Sequence, residues 1–140
     1  MTDQLRLELP FPVPLSACFK DVSFRSKSPP FRWIHTRAPT TRYEDWQKKA
    51  ERMIFLQTRG MKKNAAGILL PDRVSVTVRL VAPDKRARDA GNCDKSVMDA
   101  LVKNGVITDD SNRHVRDLKF AWRDEGLPCV VFIRPLEVEA

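Results

Sequence analysis

A chain of 140 residues, 42% hydrophobic and 31% charged, is long enough for one domain with a real core and too short for two independent ones. Its formal net charge is +7; no apolar run approaches the roughly 20 residues that cross a bilayer, and residues 1–20, interrupted by Asp3, Arg6, Glu8 and prolines, lack the apolar stretch of a signal peptide. Three widely spaced cysteines, Cys18, Cys93 and Cys129, form no C-x-x-C pair, which argues against a zinc site or a disulfide framework and for reduced, buried thiols in a cytoplasmic protein without a membrane partner.

Leu5, Leu7 and Leu9 alternate with Arg6 and Glu8, the pattern of a half-buried strand that ends at Pro10. Residues 10–40 hold six prolines and little periodicity, and read as one long loop. Its aromatics, Phe11, Phe19, Phe24, Phe31 and Trp33, stand among Lys20, Arg25, Lys27, Arg32 and Arg37. Such a mixture can stack on bases and grip phosphates, although anchoring the loop onto the sheet is the favoured reading for most of these aromatics. Thr41-Arg42-Tyr43-Glu44 has the form of a capping box, with Trp46, Ala50, Met53 and Ile54 at helical spacing and Gly60 as a stop, so a helix is expected over 42–58. Lys48, Lys49, Arg52 and Arg59 mark its solvated face.

A basic connector, residues 61–67, leads to Val74, Val76, Val78 and Leu80, a clear strand before Pro83. A second helix over 92–104 turns Cys93, Val97, Ala100 and Leu101 to the core and closes at Asn104-Gly105. Leu118, Phe120 and Trp122 mark another strand and Cys129–Ile133 the last, with Asp124-Glu125-Gly126 expected as the hairpin turn between them. The expected fold is an α/β (α+β) single domain over residues 1–140, a mixed sheet of about four strands with two main helices, since the second helix permits a parallel crossover.

The charge is unevenly placed. Residues 1–88 carry 18 Lys/Arg against 8 Asp/Glu, whereas residues 89–140 carry 7 against 10. A protein that merely coats nucleic acid gains nothing from an acidic segment, because carboxylates repel phosphate. The segment makes sense if a divalent ion neutralises it. Its acids flank the second helix: Asp89 before it, Asp99 on it with Lys95, and Asp109-Asp110 after it, with the basic run Lys85-Arg86-Ala87-Arg88 just upstream. Carboxylates bind hard cations through oxygen while nearby cations hold a polyanion, which is the equipment of metal-assisted phosphodiester cleavage. The same residues also read as ordinary structure. Asp109-Asp110-Ser111-Asn112 forms a good turn, Asp89 can pair with Arg88 or cap the helix, and Lys95 with Asp99 makes an i,i+4 ion pair. A helix over 92–104 is about 20 Å long, too far for one ion to bridge its ends, unless the cluster forms across a two-fold axis or the following loop folds back. His114, a candidate general base, reads better as a structural residue.

Residues 83–110 resemble the signature of the RusA family of Holliday-junction resolvases, R-D-x-D-N-x-x-K followed by D-A-L, a short turn and D-D. The matching residues are Arg88, Asp89, Asn92 and Lys95, then Asp99-Ala100-Leu101, then Asp109-Asp110. The resemblance implies Asp89 and Asp110 as catalytic metal ligands with Asp109 beside them, Lys95 as the catalytic lysine, and Mg²⁺ (or Mn²⁺) as cofactor. It also implies a homodimer that nicks two strands of branched DNA symmetrically, as a two-fold axis would require, and a bacterial, phage or prophage origin. Lys85, Arg86 and Arg88 are the expected DNA-binding residues. One position departs from the pattern: Gly91 stands where the family has an aspartate. Asp94 or Asp84 then becomes the replacement carboxylate, or water fills the position, or the protein is a catalytically impaired binder of branched DNA. An RNA-binding or RNA-cleaving domain is a further alternative from the aromatics at 19–33.

Overall fold

In the computed structural model, which describes residues 4–136, the chain runs β1 (Leu5–Leu9), β2 (Phe19–Arg25), β3 (Trp33–Pro39), α1 (Thr41–Thr58), β4 (Val74–Val81), α2 (Asp94–Lys103), β5 (Val115–Arg123) and β6 (Cys129–Pro135). Short 3-10 turns occupy Leu15–Ala17 and Ala90–Cys93. Four strands form a sheet in the order β1-β6-β4-β5, and β2 and β3 form a separate two-stranded sheet. β5 lies parallel to β4, reached through α2, and β6 is antiparallel to both β1 and β4. The mixed α+β class and the parallel crossover agree with the apolar spacing.

Period-two alternation decides which sheet face is covered. Leu7, Leu9, Val76, Val78, Leu80, Val131 and Ile133 are buried, beneath Tyr43, Trp46, Ala50 and Ile54 of α1 and Val97, Ala100 and Leu101 of α2. The opposite face stays open, with the Arg79 guanidinium 4.6 Å from the Phe132 ring centre. α1 also guards the β1 edge. The Gln57 side chain accepts from the Glu8 amide at 2.6 Å and donates to the Glu8 carbonyl at 2.7 Å, satisfying backbone groups that an edge strand would otherwise offer to another chain. All three cysteines are free and buried.

Several expectations need correction. Residues 10–40 are not one loop: β2 and β3 form an antiparallel hairpin in register from Phe19↔Pro39 to Arg25↔Trp33. Neither face of this hairpin is fully buried, so apolar alternation, the main strand signal, is missing from it. Phe11 and Phe19 do pack against the core, but Phe24, Phe31 and Trp33 are 48%, 56% and 66% exposed and anchor nothing. The α1 cap is Thr40 rather than Thr41, its hydroxyl accepting from the Tyr43 amide at 3.2 Å. The second helix starts two residues later than expected, at Asp94, behind a 3-10 turn. Residues 124–126 do not join a β5–β6 hairpin, because β4 separates those strands. β6 buries Cys129, Val131 and Ile133, and central placement between β1 and β4 covers them where an outer position would not.

Gly105, after α2, has φ +72, and a Cβ there would stand 2.6 Å from the Gly67 carbonyl oxygen. Gly105→Ala is therefore expected to destabilise the fold by about 2 kcal/mol through backbone strain and the clash. Urea unfolding monitored by circular dichroism measures this; an unchanged midpoint would mean that the two loops separate freely.

Candidate active site

The basic run ends in a loop held by one acid. Asp84 accepts from both terminal guanidinium nitrogens of Arg88, and from the Arg86 amide and Nε. Hydrogen bonds from Arg88, then from Arg86, hold its carboxyl well below the usual carboxylate range. Arg88 also lies over the Phe11 ring at 5.7 Å. Asp84 is thus committed to these arginines, which makes it a poor replacement for the carboxylate absent at Gly91, and it offsets charge on two of the three expected phosphate binders. Lys85 is exposed and makes no ion pair among the described residues. Asp84→Asn is expected to tighten DNA binding severalfold at low salt and to steepen the log–log salt slope by about 0.9 per phosphate newly contacted. A polarisation titration at several salt concentrations checks this, and unchanged affinity and slope would turn these arginines away from DNA.

Asp89 caps the 3-10 turn, its Oδ1 accepting from the Gly91 amide at 2.9 Å. It lines a cleft of about 330 Å³ with Arg42, Arg86, Arg88 and Asn92, so the cleft joins one carboxylate to three guanidinium groups. Arg42 carried no signal of this in the sequence, where it fell inside an apparent capping box.

Lys95 lies one turn along, in a second cleft of about 300 Å³ lined by Leu15, Asp94, Met98, Asp99, Asp110 and Leu118. Its Nζ donates to Asp99 Oδ2 at 2.9 Å, and the Tyr43 hydroxyl donates to the same oxygen at 3.3 Å. The Asp99 hydrogen bond raises the Lys95 pKa, with the Asp99 and Asp110 charges adding to the effect. The Tyr43 phenol, pushed up to about 12 by burial and by Asp99, stays protonated. The i,i+4 ion pair and a lysine held ready beside Asp110 are therefore the same object. No spacing rule could have found Tyr43, since it reaches Asp99 from another helix.

Asp110 and Lys95 share a cleft and Asp89 lines the other. Pro14 and Leu15, like Cys93 and Asp94, are consecutive residues divided between the two, so the clefts adjoin. Asp109 is exposed and accepts from the Asp110 amide at 2.7 Å. His114 lines neither cleft; its carbonyl accepts from the Val74 amide. Among the described residues no three His, Cys, Asp or Glu side chains gather as a metal cage. The donor chemistry still suits a hard cation, because the Lys95 cleft offers carboxylate oxygens and neither histidine nor cysteine. Mg²⁺ keeps several waters and binds through one or two carboxylates plus substrate phosphates, so a cleft lined by Asp94, Asp99 and Asp110 fits such an ion in donor type.

Carboxylates, a fixed ammonium and guanidinium groups on adjoining clefts make a site suited to a phosphodiester. Residues 27–131 match the family described as Endodeoxyribonuclease RusA. The chain belongs to this family of DNA-cutting hydrolases. No curated protein matches it. Among the described residues, no helix is long and apolar enough to cross a membrane.

Proposed function

We propose that this protein resolves four-way (Holliday) DNA junctions by paired symmetrical nicks, using Mg²⁺ or Mn²⁺. The observation that carries the reading is a RusA-family chain with Lys95 and Asp110 in one cleft. Asp110, Asp109 and Asp89 are the carboxylates that would hold the ion, and Asp94, which lines the Lys95 cleft, is a further candidate for the carboxylate that Gly91 does not supply. A bound divalent ion supplies charge that polarises the scissile phosphate and makes a water more acidic. The chain's own groups do the rest. Lys95, kept protonated by Asp99, sets its positive charge against the negative charge that grows on the phosphate oxygens as water attacks phosphorus and the P–O bond to the leaving oxygen breaks. Its raised pKa suits a fixed cation better than a proton donor. Tyr43 and Asp99 fix the ammonium in position, and Arg42, Arg86, Arg88 and Lys85 hold the flanking backbone. Two nicks related by a two-fold axis call for a homodimer, working on bacterial, phage or prophage DNA in the cytoplasm.

The second reading is a catalytically impaired protein that binds branched DNA. Gly91 and the lack of a three-acid cluster among the described residues favour it. A labelled four-way junction incubated with Mg²⁺, with Mn²⁺ and with EDTA separates the two. Paired nicks that depend on metal are the expected result, whereas a shifted band without products would replace the first reading by the second. Preferential binding of structured RNA in competition would displace both.

A further inference from the structure

We infer that one face of the β2–β3 hairpin is an arm that holds a DNA strand with unpaired bases leading away from Lys95. Residues directly opposite in an antiparallel pair share a face, as do residues two apart on one strand. The register therefore places Phe19, Asp21, Ser23 and Arg25 together with Arg37, His35 and Trp33. Phe24 and Ile34 lie on the other face. The near end of the first face meets the site, since Lys95 Nζ stands 5.9 Å from the Phe19 ring centre and the Arg37 guanidinium 5.5 Å from it. The far end carries exposed Trp33 opposite Arg25, whose guanidinium sits 5.6 Å from the exposed Phe31 ring.

The six residue steps of β2 span about 20 Å, room for several nucleotides at about 3.4 Å each. The hairpin as a whole, residues 20–38, holds five Lys/Arg and one Asp/Glu; the proposed face itself carries Arg25 and Arg37 with Asp21, which lies 3.8 Å from Arg37 Nε, a net positive balance complementary to a phosphate backbone. The arm is built before any ligand arrives. The Ser26 amide donates to the Arg32 carbonyl at 2.8 Å, the Arg32 amide donates to Ser26 Oγ at 3.1 Å, and Ser23 Oγ shares a 2.7 Å hydrogen bond with His35 Nδ1. Exposed aromatics with cations between them are what stacking on unpaired bases uses, because every base has a π-face while a closed duplex hides its own.

The identity of the strand as DNA rests on the proposed function; the preference for unpaired bases does not. Polarisation titrations in EDTA, with the full chain and no cleavage, use three labelled DNAs: a single strand, the duplex of that sequence and a four-way junction. Trp33→Ala is expected to weaken the single strand and the junction about tenfold, in keeping with the loss of one stacked base, and the duplex less than twofold. Phe24→Ala, on the opposite face and equally free to fold, is expected to change none of them. Equal losses on duplex and single strand, no loss at all, or the same loss from Phe24→Ala would overturn the inference. Tighter binding of the RNA strand of the same sequence would overturn its DNA assignment. Metal-dependent nicking is scored separately, so an arm that binds as described in a protein that cuts nothing refutes the enzyme and leaves the arm standing.

Discussion

Asp110→Asn is expected to lower metal-dependent junction nicking about a thousandfold, a loss of roughly 4 kcal/mol of transition-state stabilisation, while junction binding stays the same or tightens. Asp110 shares its cleft with Lys95, and its exposed position leaves the fold indifferent to an isosteric amide. Removing an anion from a surface that meets phosphate also removes repulsion, so loss of cutting without loss of binding separates chemistry from recognition. Asp89→Asn is expected to behave alike if both clefts serve one reaction. Single-turnover nicking of a labelled junction measures the two variants side by side. Full activity in Asp89→Asn with loss in Asp110→Asn would confine the chemistry to the Lys95 cleft, and full activity in both would remove these acids from the mechanism.

The second large effect runs in the opposite direction. Gly91 is exposed, has no positive φ, and the nearest group to a Cβ built on it is the Asp89 carboxyl, 3.4 Å away. Gly91→Asp therefore fits the backbone as it stands and sets a second carboxylate beside Asp89. Affinity for hard divalent ions rises with the number of anionic ligands. Mg²⁺ binding by calorimetry is expected to tighten about tenfold, or about 1.4 kcal/mol, and nicking at low Mg²⁺ to rise with it. Without metal the two like charges repel, so the variant is expected to melt earlier in EDTA and to regain stability on adding Mg²⁺. An unaltered Mg²⁺ affinity would place the ion away from Asp89.

The elements with a buried face were readable from residue order. Val74–Leu80, the α1 stripe of Trp46, Ala50 and Ile54, and the Cys93–Leu101 face of the second helix all carry their apolar residues at the period of their structure. The hairpin at 19–39 shows no such period, since both its faces stay largely in solvent, and prolines around it imitate a loop. Strand order was illegible for a different reason. A turn such as Asp124–Gly126 reports that the chain changes direction, whereas the position of β6 depends on which strands need neighbours on both sides. In the candidate site, motif spacing singled out Asp89, Lys95 and Asp110 but could not tell that they divide between two clefts, because that depends on how the 3-10 turn over Ala90–Cys93 aims the chain. Tyr43, which reaches Asp99 from α1, emerges only once α1 and α2 are packed.

Among the described residues, β6 is the strand that joins β1 to the rest of the sheet. On a ribosome, everything up to residue 128 can emerge and still leave Leu5–Leu9 and one side of Val74–Val81 without a strand to pair with. A nascent or truncated chain ending there would display two apolar, unpaired ribbons, the sort of surface that recruits chaperones or seeds aggregates. Closure of the four-stranded sheet falls to seven residues, Cys129 to Pro135, set between strands that come much earlier in the chain.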